Sequence, residues 1–213
     1  MFKPRAFLLL FLFLLSFAWL NSSGVLKKTK TTVKGDNSNE QLLSTRSFEK
    51  AREKANKAKS FVSENAYNNK FCLLVDMSLL SYQNRFLVYD LMKDTILNAG
   101  LVTHGRCNEN WLKGRRYDNK AGCGCTSLGK YKVGFSYKGR FGLAYKLYGL
   151  DKTNDNAFKR FVVLHSHSCV PESEVDDDIC QSDGCPTVSP SFLQYLKARL
   201  DASARPVLLW IYE

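Results

Sequence analysis

"VLHSHSCVPESEVDDDICQSDGCPTVSP", residues 163–190, puts two histidines, three cysteines and a run of acids into one window of a chain that has only three histidines. An apolar, strand-like start ends on His165, and the far end carries Ser182-Asp183-Gly184-Cys185-Pro186 followed by Ser189-Pro190. Three chemistries compete for such a window: a metal site, a disulfide knot, and a thiol with an imidazole as its base.

The metal reading is the weakest. His165, His167 and Cys169 alternate, so on a strand they would face one side, and a CxC pair, Cys123 and Cys125, lies upstream. Structural zinc sites use CxxC or HxxxH spacings that let a turn or helix wrap the ion. Neither spacing occurs here, and no metal is expected. The thiol reading fares better. A thiolate nucleophile needs an imidazole to manage its proton and backbone amides to hold the oxyanion. Gly184 permits close approach of another backbone or a substrate, and Pro186 stiffens the exit. A helix opening at Ser189, with Pro190 at its first position, brings a positive helix end into the neighbourhood, which favours a thiolate. His165, at the end of a strand, fits the place beside the sulfur.

Outward from this window, Phe192, Leu196 and Leu200 line one face of the late helix. Seven short runs with a period near two, FCLLVDM, RFLVYDL, TILNAGLVTHG, GKYKVGFSY, FGLAYKLYGL, FKRFVVLHS and PVLLWIY, predict a mainly β domain, a sandwich or barrel. Gly122, Gly124 and Gly129 lie among cysteines rather than between a strand and a helix, so no nucleotide loop is expected. Upstream, Phe48, Ala51, Ala55, Ala58 and Val62 recur at helical spacing and predict a helix packed on the domain from Ser47 to Asn68-Asn69.

The 213-residue chain divides into residues 1–23, a signal peptide or membrane anchor; 24–45, a flexible basic spacer; and 46–213, one domain including the N-terminal helix. Lys3 and Arg5 precede 15 uncharged, mostly apolar residues from Ala6 to Leu20, shorter than a spanning helix usually needs, and Ser16-Phe17-Ala18 offers a small-x-small cleavage site. Export to the periplasm or cell envelope follows, with residues 6–20 as the anchor if the leader is kept. Of the net charge of +11, residues 1–70 carry +8 (13 basic against 5 acidic). The basic segment suits a solvated tether or contact with anionic wall polymer or a membrane surface; nucleic acid is a poor partner. In an oxidising compartment the seven cysteines leave at least one thiol over. Cys123 and Cys125 are too close to pair with each other, Cys169 with Cys180 would staple the acidic loop, and Cys72 reads as a buried small hydrophobe.

At this point the residues resemble a known family, the murein L,D-transpeptidases of the YkuD type, in the branch with an S-x-G-C-P motif. The family pattern is a histidine, about fourteen to seventeen residues, then Ser or Thr, a variable residue, Gly and Cys; here 16 residues separate His165 from Ser182-Asp183-Gly184-Cys185. TSLGKYKV, residues 126–133, is similar to the family's hairpin segment, and residues 147–165 to the strand pair leading to the base.

The resemblance implies a β-sandwich-like catalytic domain with Cys185 as nucleophile and His165 as general base, oriented by a group near Ser166. It implies an oxyanion site from the backbone amides of Gly184 and Cys185, with Ser182 and Asp183 toward the substrate, and no cofactor; Tyr131 reads as a core residue, with the substrate cleft as its alternative place. The implied substrate is a peptidoglycan stem peptide: a thioester forms with release of the terminal D-alanine, and a second stem's amine resolves it into a 3→3 cross-link. Trimming by water, or attachment of a protein to the wall, would use the same thioester. A rival of another class is a disulfide-stapled extracellular binding module with Cys185 in a pair. Asp183 stands where the wider family often has histidine, and its charge would raise a neighbouring thiol's pKa; Gln181 stands where the branch often has arginine. His167 and His104 read as structural. The acids at 172–178 read as a solvated loop, or as a lid that attracts an acceptor amine. Arg160 and Asp155 are expected to brace the His165 strand through a salt bridge.

Overall fold

The computed structural model describes residues 37–213; the leader and the spacer up to residue 36 lie outside the described residues. Helix α1 (Asn37–Glu64) begins ahead of the apolar period that starts at Phe48. Strands β1 (Phe71–Asp76), β2 (Phe86–Asp90), β3 (Thr95–Gly100), β4 (Gly129–Gly139), β5 (Gly142–Gly149) and β6 (Val163–Ser166) follow, then the two-residue β7 (Thr187–Val188), α2 (Pro190–Asp201) and β8 (Val207–Tyr212). All seven apolar runs contain a strand, and the two helices stand where expected, so the domain is mainly β with an N-terminal helix and one late helix after Cys185.

The strands form one mixed sheet in the order β3-β2-β1-β8-β4-β5-β6-β7. Among the described strands, β1–β8 and β6–β7 pair in parallel and the others antiparallel. Beyond β3 the chain bends back to the other end of the sheet, where Val102 bridges Val188. Central β1 is buried along its whole length, which is why FCLLVD reads as a continuous apolar run rather than an alternating one. Cys72 and Leu74 face α1, whose Ala51, Ala55, Ala58 and Val62 cover β1, β2 and β8. Leu73 and Val75 face the opposite way, into the main core with Tyr131, Leu147, Leu164 and Val188.

Helix α2 plugs that core. Ser189 caps it by accepting the Phe192 amide at 3.3 Å. Its face of Phe192, Leu193, Leu196 and Leu200 is buried, and the Phe192 ring meets Phe86 edge-on at 5.4 Å. A side chain at Gly100 would come within 2.8 Å of the Phe192 ring, so a glycine is needed there. Among the described residues no helix is long and apolar enough to cross a membrane.

Leu196 is fully buried in this plug. Leu196→Ala is expected to destabilise the domain by about 2–5 kcal/mol through lost transfer energy and the cavity left behind, whereas exposed Met92→Ala should change it by less than about 0.5 kcal/mol. Urea unfolding followed by circular dichroism measures both.

Candidate active site

Short β6 delivers His165. Leu164 points into the core, so by strand alternation Val163 and His165 face the other side. His165 lies between Ala144 of β5 and Thr187 of β7. Its Nδ1–H donates to the Ser166 carbonyl at 3.1 Å, which leaves Nε2 unprotonated and able to act as a base. Nε2 receives the Thr187 hydroxyl at 3.1 Å, and the ring stacks on Phe141 with centroids 4.8 Å apart. Burial lowers the imidazole's pKa against the raising effect of the Ser166 carbonyl, and His167 lowers it further. His165 therefore rests neutral.

Cys185 sits on the loop before β7. Gly184 has a φ of 105°, and a side chain there would come within 2.6 Å of the Cys125 carbonyl, so only glycine lets the loop pass. The Cys185 carbonyl accepts the Ser182 hydroxyl at 2.7 Å and lies 3.3 Å from the hydroxyls of both Thr103 and Thr187. The Cys185 Sγ accepts the Val163 amide at 3.5 Å and lies 3.8 Å from the Phe161 carbonyl. Burial pushes the thiol's pKa up; the Val163 amide and the Arg160 guanidinium pull it down, and Asp183 adds a smaller upward push. Cys185 and His165 line one cavity of about 230 Å³ with Thr103, Arg106, Phe141 and Ser182. Among the described residues no direct hydrogen bond joins Sγ to Nε2. Hydrogen bonds of this kind often tighten only once substrate is bound. A shallower hollow of about 410 Å³ near Asp201 and Arg205 has neither thiol nor imidazole.

The remaining expectations fare unevenly. Tyr131 does not reach the cavity: it is buried in the core, with its hydroxyl on Ser127. Asp183 is at the rim, paired with Arg106 at 2.7 Å, which offsets its charge beside the thiol. The Gly184 amide donates to the Ser182 hydroxyl at 3.2 Å, so of the two amides expected at the oxyanion site it is the one already engaged, while that of Cys185 has no acceptor among the described residues. Arg160 does not pair with Asp155. It donates to the carbonyls of Asp118 and Cys125 and to the Ser127 hydroxyl beneath the Cys185 loop, while Asp155 accepts from Asn119. The N-terminus of α2 is taken up by an acid of its own: Glu172 accepts from the hydroxyls of Ser189 and Ser191 and neutralises that end. Glu174 and Asp178 are likewise engaged, by the Asn84 amide and the Ser81 hydroxyl, so the acidic loop is tied down rather than free.

Disulfides join Cys107 to Cys125 and Cys169 to Cys180, leaving Cys72, Cys123 and Cys185 free. The Cys169–Cys180 staple is the one expected, and a module with Cys185 in a disulfide is overturned. Cys72 is buried in apolar surroundings that push its pKa up. The second bridge also removes Cys169 from any ligand set, and His167 accepts the Cys169 amide at 3.1 Å. Among the described residues no three His, Cys, Asp or Glu side chains gather around a point. His104 is buried behind the loop, next to Arg85 at 3.2 Å, and its pKa is lowered to about 4 by burial first and the Arg85 charge second. Thr187, Thr103, Arg106 and Phe141 were not foreseen. Thr187 alone had a sequence signal, standing two residues beyond Cys185 on the same short segment.

A free thiol and a neutral imidazole sharing a cavity at the edge of a mixed sheet form a thiol–imidazole site. The chain belongs to the L,D-transpeptidase catalytic domain family, whose model matches residues 39–212. Among solved structures it is similar to an L,D-transpeptidase from Xylanimonas cellulosilytica, with 14% identity over 72% of this chain and 68% of that one and a TM-score of 0.37. It is also similar to an L,D-transpeptidase from Mycobacterium smegmatis, with 11% identity over 68% of this chain and 59% of that one and a TM-score of 0.39. The search of curated proteins finds no match.

Two measurements check the electrostatics. The alkylation rate of Cys185 by iodoacetamide should reach half its maximum at a higher pH than that of a free cysteine, because burial outweighs Arg160. Unfolded His104 gains its proton near pH 6.5, and folded His104 only near 4. Its stabilising contribution is therefore present above pH 6.5 and is lost as pH falls towards 4. The loss is up to about 3 kcal/mol in urea titrations, and His104→Gln should remove most of that slope.

Proposed function

We propose that the domain is a cysteine acyltransferase acting on peptidoglycan stem peptides. The observation that carries this reading is the pairing state: four cysteines are used in two disulfides, while Cys185 stays free in the cavity that also holds the unprotonated Nε2 of His165. The two disulfides also suit an exported protein.

In the first step His165 Nε2 takes the Sγ proton and the thiolate attacks the carbonyl between the L-centre of the diamino acid and the terminal D-alanine. The oxyanion is held by the Cys185 amide, joined by the Gly184 amide once it swings from Ser182. The imidazolium returns its proton to the leaving nitrogen, the C–N bond breaks, D-alanine departs and a thioester remains. In the second step the side-chain amine of another stem attacks the thioester, His165 accepts the amine's proton and then gives it to the departing sulfur, and a 3→3 amide is formed. Asp183 and Arg106, paired at the rim, are placed to meet an ammonium and a carboxylate of the incoming stems.

The test uses defined tetrapeptide muropeptides. Wild type should release D-alanine and form dimers, whereas Cys185→Ala and His165→Ala should fall to background, with Tyr131→Phe retaining activity. Tripeptides without dimers would assign water as the acceptor. D-alanine release by Cys185→Ala would overturn the assignment. A carbapenem should add its mass to wild type and not to Cys185→Ala.

A further inference from the structure

Residues 129–149, the whole β4–β5 hairpin, carry five basic residues and no acid. Lys130 pairs with Asp151, but among the described residues Lys132 and Lys146 make no ion pair. Helix α1 covers β1, β2 and β8 and leaves the outer face of β5 uncovered. On that face the Lys146 ammonium lies 4.5 Å from the Tyr137 ring and 5.8 Å from the rings of both Phe158 and Phe161. Lys132 lies 4.6 Å over Tyr148, which stacks on Phe158 at 5.0 Å.

The strip is exposed at a cost. Phe161 is 75% exposed and Phe158 49%. Phe161 also holds a φ of 57°, a left-handed conformation unfavourable for a bulky residue. Such strain and such an apolar exposure point to a binding role rather than to folding. The strip is continuous with the site: the Phe161 carbonyl is 3.8 Å from Cys185 Sγ.

We infer that this aromatic and basic face docks the carboxylate-bearing glycopeptide strand of peptidoglycan and leads it to Cys185. The inference rests on the reading of the domain as a peptidoglycan acyltransferase. Ammonium groups held over aromatic rings are placed to pair with stem carboxylates, and the exposed part of the Phe161 ring carries the negative face that attracts the C–H groups of a sugar ring. The chain's own first 36 residues are poor occupants, since they hold six basic residues against one acid. A lipid surface fits less well, because Tyr148 and Phe158 stack on each other under Lys132 and Lys146, and Phe161 alone does not form an apolar ridge.

Co-sedimentation with purified insoluble sacculi tests the inference, alongside turnover of a soluble tetrapeptide muropeptide. Lys132→Gln/Lys146→Gln and, separately, Phe158→Ala should weaken sacculus binding about tenfold. Soluble turnover should stay unchanged. Lys59→Gln/Lys93→Gln, with the same change in charge elsewhere on the surface, should bind as wild type. The inference is overturned if the strip variants sediment like wild type, if the control loses as much, if soluble turnover falls in step with binding, or if wild type is captured by phosphatidylglycerol vesicles and not by sacculi. A wild type that binds sacculi through the strip but turns over no muropeptide would support the docking face and sink the proposed reaction.

Discussion

The register of β6 is the constraint on which the site depends. Its four residues are held between β5 and β7, and a slip of one position would bury His165 in the core and turn Leu164 outward. The apolar demand of the core on Leu164 therefore orients the imidazole. Thr187, directly opposite His165, is set by the same pairing, and two residues before it stands Cys185. A strand of four residues is too short to hold itself. Its stability comes from β5 on one side, from α2 beneath, and from the segment after β3, which closes on β7 through Val102 and Thr103.

Charge is kept out of the centre and arranged around it. Thiol and imidazole both rest neutral, since burial penalises the ionised form of each. Arg160 lies below the loop, bonded to neutral carbonyls and a hydroxyl, so its charge is not cancelled and remains available to a thiolate. Asp183, which would oppose the thiolate, is met by Arg106 at the rim. The uncompensated cations of the β4–β5 face lie farther along the same side of the sheet edge. An anionic polymer would thus meet positive charge before it reaches the neutral pair, which orders long-range attraction ahead of short-range chemistry.

The disulfides act on loops rather than on the core. Cys107–Cys125 fixes the segment whose Cys125 carbonyl lies under Gly184, and Cys169–Cys180 closes the acidic loop between His165 and Cys185. Neither segment belongs to a strand. Three acids of the second loop find donors at Ser81, Asn84, Ser189 and Ser191, so the run is exposed to solvent, as its sequence suggests, and is also tied to the fold.

Much of this was legible in the order of residues alone. Every strand run, both helices, the Ser189 cap, the burial of Cys72 and the Cys169–Cys180 staple follow from periodicity and local spacing, which depend on neighbours a few residues away. The motif placed His165 and Cys185 in one site for the same reason, as their separation along the chain is short. What only the tertiary structure decided depends on residues brought together from far apart. Thr103, Arg106 and Phe141 enter the cavity because the sheet closes on itself, and Arg160 turns to carbonyls from residues 118 and 125 instead of to Asp155. The end of α2 is claimed by Glu172. Periodicity reports which face a residue occupies, but not which distant partner will satisfy its charge or its hydrogen bonds once that face is packed.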